Sequence, residues 1–253
     1  MYIAVSGAVA QERRIEVIAN NLANINTPGY KKDYSVFQSV LAEHQLSSLS
    51  TTSGSLFSQN NNNTGFFENA FVDLVSIRTD FSPGVMEVTG NKTDCSIEGE
   101  GFFVVQTSEG TRYTRNGCFT VNSKGELGFG EGRVVLGKSG VSIVPDGAQF
   151  DITQNGDVVI DDAVVDTLKV VTFEDRDDLI KVGNAEFALR NPDIREKEAE
   201  NYSLHQGFVE RSNVEPIQEM VEMITVHRAY QAYEKAIRTS DDMTGRLISQ
   251  AMA

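Results

Sequence analysis

Residues 8–25, Ala8-Val9-Ala10-Gln11-Glu12-Arg13-Arg14-Ile15-Glu16-Val17-Ile18-Ala19-Asn20-Asn21-Leu22-Ala23-Asn24-Ile25, place Ala8, Gln11, Ile15, Ile18, Leu22 and Ile25 at alternating steps of three and four. That spacing puts the set on one face of a helix, as a coiled-coil seam requires. The other end of the chain repeats it with Met223, Val226, Tyr230, Tyr233, Ile237, Ser240, Thr244 and Leu247. A short amphipathic helix is marginal alone, because its apolar stripe needs a partner. Two such helices at opposite ends either pair, with each other or with copies from neighbouring subunits, or pack on an ordinary core. Periodicity alone does not choose between these.

Both helices have legible limits. Asn24-Ile25-Asn26-Thr27-Pro28-Gly29 stops the first at about residue 25. Pro28 pushes Thr27 toward extended geometry, and Pro28-Gly29 suits the centre of a type II turn. The second begins at Ser212-Asn213-Val214-Glu215-Pro216. A capping serine or asparagine, an acidic first turn and an early proline mark that start, and Ser212 with Glu215 fits a capping box. From there the helix can run to about Gln250, roughly 50 Å at ~1.5 Å per residue.

Between the helices the composition changes. Residues 45–65, rich in Ser, Thr, Asn and Gly, read as a flexible linker with little to bury. Residues 66–208 show short apolar runs broken by turns. Phe102-Phe103-Val104-Val105 is a buried-strand candidate. Asn155-Gly156, between Phe150-Asp151-Ile152 and Val158-Val159-Ile160, fits a hairpin with a type I′ turn. The expected fold is mixed: long terminal α-helices pairing as a coiled coil, plus a mainly antiparallel β central domain. Residues 1–44 with 209–253 form a discontinuous helical domain, 45–65 the linker and 66–208 the β domain.

Composition narrows the chemistry. Of 253 residues, 40% are hydrophobic and 23% charged, with a net charge of −14. No Lys/Arg cluster offers itself to nucleic acid or anionic lipid. No segment approaches the ~20 apolar residues of a membrane span. The charges near the N-terminus follow its short apolar stretch, the reverse of a cleavable secretory peptide. Cys95 and Cys118 form no C-x-x-C pair, His44, His205 and His227 are scattered, and two buried free thiols are expected. Gly99-Glu100-Gly101 lacks the remainder of a phosphate loop. Asp161-Asp162 and Asp175-Arg176-Asp177-Asp178 lack the alternating oxygens of a calcium loop and read as solvated turns. No catalytic residue, cofactor, metal or small-molecule substrate is expected.

Three blocks then become specific. Ala19-Asn20-Asn21-Leu22-Ala23-Asn24-Ile25-Asn26-Thr27-Pro28-Gly29-Tyr30-Lys31 resembles the N-terminal signature of bacterial flagellar rod and hook proteins. Gly99-Glu100-Gly101-Phe102-Phe103-Val104, Tyr113-Thr114-Arg115-Asn116-Gly117 and Val134-Val135-Leu136-Gly137 look like the β core of that family. Gly207 to Val214, Glu219-Met220-Val221 and Arg228-Ala229-Tyr230 are similar to its C-terminal signature. The opening Met1 to Ala8 and Ser142-Ile143-Val144-Pro145-Asp146-Gly147 look most like the proximal rod subunit, with the distal subunit as the alternative.

The resemblance implies a non-enzymatic building block that leaves the cell through the flagellar type III export gate without a cleaved signal peptide. It implies helical assembly, with other rod proteins and further copies as partners, into the basal-body rod that crosses the periplasm. Ile15, Ile18, Leu22, Ile25, Met223, Val226, Tyr230, Tyr233, Ile237 and Leu247 become candidate assembly residues. Asn20, Asn21, Leu22, Ala23, Asn24, Thr27, Pro28 and Gly29 carry the family motif. Asn20, Asn21 and Asn24 either bond across subunits or are simply solvated at a helix end. Two rival classes remain: a coiled-coil stem with a β head forming a closed oligomer, and a carbohydrate-active protein, for which no carboxylate pair stands out.

Overall fold

The computed structural model describes residues 2–41, 70–130, 132–141 and 150–251. The segment read as a linker and the Ser142 to Gly147 stretch lie outside the described residues. Helix α1 spans Tyr2–Ala23 and helix α2 spans Pro216–Ala251, with strands between them. The chain divides into two compact units, Met1–Ile18 with Tyr34–Ile77 and Val221–Ala253, and Ala19–Asp33 with Arg78–Met220.

The first unit holds most of both helices and most of a two-stranded sheet, β1 (Asp33–Leu41) with β2 (Ala70–Thr79). Here α1 touches α2 directly. Arg14 donates from Nε and Nη2 to Glu222 Oε1, at 3.0 and 2.6 Å. Gly7 faces Tyr233 so closely that a Cβ there would stand 2.7 Å from the ring. As α1 advances from residue 7 to 14 its partner on α2 retreats from 233 to 222, so the two segments run antiparallel.

The second unit is built on the run Phe102–Thr107. This strand pairs antiparallel with Gly110–Thr114, with Val134–Gly137 and with Val170–Thr172. An all-apolar run is what a strand covered on both faces needs. Alternation divides it: Phe103 and Val105 join one core with Phe119, Leu127 and Leu168, while Phe102 and Val104 join another with Phe173 and Phe187. Edge-to-face contacts at 5.0 Å (Phe103–Phe119) and 4.9 Å (Tyr113–Phe173) lock these layers. Every ladder with a described register in this unit is antiparallel.

The hairpin at 150–160 forms with Ile152 opposite Val158, but not through an Asn155-Gly156 type I′ turn. Gly156 N donates to Thr153 O at 2.9 Å, so Gln154 and Asn155 are central and Gly156, φ +94°, follows them. Only the glycine is left-handed, which suits a turn closed by a bulge rather than two adjacent left-handed residues. The true two-residue left-handed turns are Asp161-Asp162 and Asn184-Ala185. Asp175 caps a short 3₁₀ turn by accepting from Asp177 N at 2.9 Å. Cys95 is buried, Cys118 is half-buried and both are free.

Helix α2 begins at Pro216 without the capping box. Ser212 Oγ accepts from Val214 N at 3.3 Å instead, and Glu219 N turns back to Glu215 O at 3.0 Å. Asn213 is drawn away: its side chain accepts from Lys32 N and donates to Asp80 O.

Candidate functional site

The family motif forms the end of α1 and the turn beyond it. After Ala23 the chain reverses, and Tyr30 N donates to Thr27 O at 3.3 Å across Pro28-Gly29. Gly29 has φ +68°, as the third position of a type II turn demands. A Cβ at Gly29 would lie 2.2 Å from Asn116 N, so both the turn and the close approach require glycine.

Asn21 is the hub of this region and is 1% exposed. Its Oδ1 accepts from Tyr30 Oη at 3.2 Å and from Asp33 N at 3.0 Å. Its Nδ2 donates to Asp33 O at 2.8 Å and to Glu219 Oε2 at 3.2 Å. Both lone pairs and both protons are spent inside the chain. Glu219, on the first turn of α2, also ion-pairs with Lys32. Asp33 takes Lys181 Nζ at 2.7 Å and Thr79 Oγ1 at 2.7 Å. Lys181 also stands 4.0 Å over the Tyr30 ring. Burial depresses the Lys181 pKa, with Asp33 opposing, and burial beside Asp33 and Glu219 raises that of Tyr30.

A second buried cluster adjoins it. Lys31 Nζ lies 2.5 Å from Glu210 Oε1 and donates to Ser82 O at 2.7 Å. Arg115 Nε sits 3.0 Å from Glu210 Oε2, and its other nitrogens donate to Gly101 O and Gly99 O at 2.8 and 3.0 Å. Gly84 N adds a bond to Glu210 at 2.9 Å. Burial pulls the pKa of Lys31 and Arg115 down, against the pull of Glu210. Breaking such a cluster is costly, because the remaining charge is left buried. These groups hold the end of α1, the start of α2 and the strands of the second unit as one piece. Among the described residues no group of His, Cys, Asp or Glu suits a metal.

The candidate assembly residues divide by place. Ile18 and Val226 are buried; Ile15, Leu22, Met223, Tyr230, Tyr233 and Ile237 are half-buried; Leu247 is 67% exposed. Ile25 stands two residues past α1, against the cluster of Tyr30, Ala185 and Val214. Asn20 and Ala23 are exposed, and Asn24 Nδ2 donates to Asn20 O at 2.8 Å. Thr27 and Pro28 are half-buried and Gly29 is buried. A further stripe on α2, Ile217, Met220, Val221 and Ile224, is exposed at helical spacing. Sequence spacing does not single it out, because the neighbouring seam matches the heptad for longer. The pairings of Lys31 and Arg115 with Glu210 and of Lys181 with Asp33 also escape a reading of the sequence, since no local pattern joins partners so far apart, 179 positions for Lys31 and 148 for Lys181.

Three family descriptions match along the chain in order. Residues 1–31 match the flagella basal body rod protein, 96–160 the flagellar hook protein FlgE/F/G D1 domain, and 205–250 the flagellar basal body rod FlgEFG protein C-terminal region. The chain is 30% identical to the flagellar basal-body rod protein FlgG of Bacillus subtilis, over 98% of this chain and 97% of that one. It is 31% identical to FlgG of Buchnera aphidicola subsp. Schizaphis graminum over 98% and 97%. It is 29% identical to the flagellar basal-body rod protein FlgF of Mesorhizobium japonicum over 91% and 88%. The chain belongs to the flagellar basal-body rod proteins, a family of structural subunits of the flagellum and not of enzymes.

Proposed function

We propose that this rod subunit polymerises helically through its terminal helices into the torque-transmitting shaft of the basal body. The observation that carries the reading is the Asn21–Asp33–Glu219 hub. A shaft must pass force from its helical wall to the rest of each subunit without a loose hinge. Buried, fully satisfied polar contacts are stiff and specific in geometry. Long apolar helix faces repeated over many copies supply the contacts between subunits. Helix pairing as a coiled coil is supported by the Arg14–Glu222 and Gly7–Tyr233 contacts. In this reading residues 1–44 and 209–253 act as one discontinuous assembly domain, 45–65 as the linker and 66–208 as the β domain.

The proximal position rests on the Met1 to Ala8 opening and on Ser142 to Gly147; relatives named FlgG and FlgF match at nearly equal identity, 30% and 29%. We infer export through the flagellar type III gate, without a cleaved signal peptide, to a rod spanning the periplasm. Membership of the basal-body rod family supports this. Fractionation tests the reading. Cells lacking the export gate should retain the chain in the cytoplasm, and basal bodies from intact cells should contain it. Normal appearance in the periplasm of gate-deficient cells contradicts it.

A further inference from the structure

Helix α1 contains one glycine, Gly7, in its run of 22 residues. Glycine is the poorest helix former after proline, so a glycine inside a helix calls for a reason in packing. That reason stands on the facing helix of the first unit. Gly7 is buried, and a Cβ there would lie 2.7 Å from both Cε1 and Cζ of Tyr233 and 3.2 Å from its Cδ1. These are atoms of a rigid ring, which cannot fold aside as the tip of a flexible chain does. Gly7 is therefore a notch in α1, and the Tyr233 ring is the knob that enters it.

Apolar side chains at heptad spacing pack in more than one alignment, and a single exceptional residue is what fixes the register. Sliding one helix by a turn moves the facing residues ~5.4 Å and sets the Tyr233 ring against a residue of α1 that carries a side chain. The Arg14–Glu222 pair marks the same antiparallel alignment farther along the seam. The alignment also has a consequence beyond the two contacts. From Gly7 the described part of α1 runs back only to Tyr2, whereas from Tyr233 helix α2 runs on to Ala251. The last turns of α2 are exposed, among them Met243, Leu247 and Ile248. How far those turns reach along α1 and past it is set by which residue of α2 faces Gly7.

We propose that the Gly7 notch and the Tyr233 ring are the register lock of the terminal helices, and that this register decides whether a copy fits the rod. Tyr233 is a positioning residue, acting through its ring and not through its hydroxyl. Gly7 is the one place on α1 that admits it. The lock rests on the reading that the terminal helices build the rod, and it names the contact that sets their alignment.

Variants of the full chain test it through a change of sign. Helix propensity alone makes Gly7→Ala a gain, and crowding against the ring makes it a loss. In purified chains, Gly7→Ala should lower the temperature at which helical circular dichroism disappears when Tyr233 is present. The same change should raise that temperature when it is added to Tyr233→Ala. In the native bacterium, Gly7→Ala and Tyr233→Ala should each be depleted from purified basal bodies, while Tyr233→Phe, which keeps the ring, should be recovered like the parent. A rise in both backgrounds, parental recovery of Gly7→Ala, or depletion of Tyr233→Phe to the level of Tyr233→Ala overturns the lock. Absence of the parent chain from basal bodies would instead overturn the rod reading, and the melting comparison, which needs no rod, would still judge the contact.

Discussion

Lys31 Nζ and Glu210 Oε1 meet at 2.5 Å although 179 positions separate the residues, and both side chains are almost wholly shielded from solvent. Lys31 closes the N-terminal family block and Glu210 precedes α2, so the pair ties the two ends of the chain to each other within the second unit. Arg115, from between the strands, completes it. Glu210→Gln removes the only anion paired with either cation among the described residues. The expected loss is ~3–5 kcal/mol, as for other broken buried pairs. Chemical denaturation of the purified variant checks it, and a change within error of zero would show that the cluster does not hold the unit together.

Asn21 offers a test with a defined sign. Asn21→Asp keeps the size and the two acceptors but loses both donors, and it brings a third carboxylate to Asp33 and Glu219. The variant should be less stable than Asn21→Leu at neutral pH, and acidification should narrow the gap as the added carboxylate takes a proton. Denaturation curves of both variants at neutral and mildly acidic pH measure this.

The turn at Gly29 separates strain from crowding. Gly29 and Gly130 both have left-handed backbones, φ +68° and +86°, but nothing approaches a Cβ at Gly130 within 4 Å. Gly130→Ala should cost ~1–2 kcal/mol for conformation alone. Gly29→Ala must also displace the Asn116 backbone, and should cost more, up to failure to fold. Equal melting shifts for the two would remove the close approach from the account.

Thiol chemistry gives an alkaline prediction. Burial pushes the Cys95 pKa up to about 12, and burial together with Asp94 pushes Cys118 up to about 11. Thiolate is the reactive form, so native protein should alkylate slowly at pH 8, Cys118 ahead of Cys95, and both quickly in denaturant. Raised thiol pKa values favour the folded state fully below the unfolded value of 9.0, and the gain fades as pH climbs through 11 and 12. Cys95→Ala should flatten that alkaline decline, as urea titrations at stepped pH would show.

Local chemistry made part of this fold legible. The Pro28-Gly29 turn, the end of α1 to within two residues and the buried strand at Phe102 follow from spacing, because each depends on neighbours in sequence. The hairpin around Asn155 joins the two expected strands, but an Asn155-Gly156 turn would set Ile152 opposite Val159, and the extra residue of the bulged turn moves Val158 there instead. The Ser212 capping box failed because Asn213 serves Lys32 and Asp80, which only the folded chain brings near. The Asn21 hub and the Lys31–Glu210 pair were illegible as interactions for the same reason. The motif marked Asn21 as important, but nothing in it says that its amide bonds to Glu219.

Incorporation into the rod bears most directly on the claim that the terminal helices build it. Val221 and Ile224 are 60% and 55% exposed on α2, so charged replacements there spare the interior of the subunit. Val221→Glu with Ile224→Glu should leave the melting of the isolated chain within ~0.5 kcal/mol of the parent, as for ordinary surface changes. The measurement is the amount of this variant in purified basal bodies relative to the parent chain, alongside swimming. The account predicts that the variant is missing from basal bodies and the cells are non-motile; recovery at the parental level in swimming cells would contradict assembly through this helix.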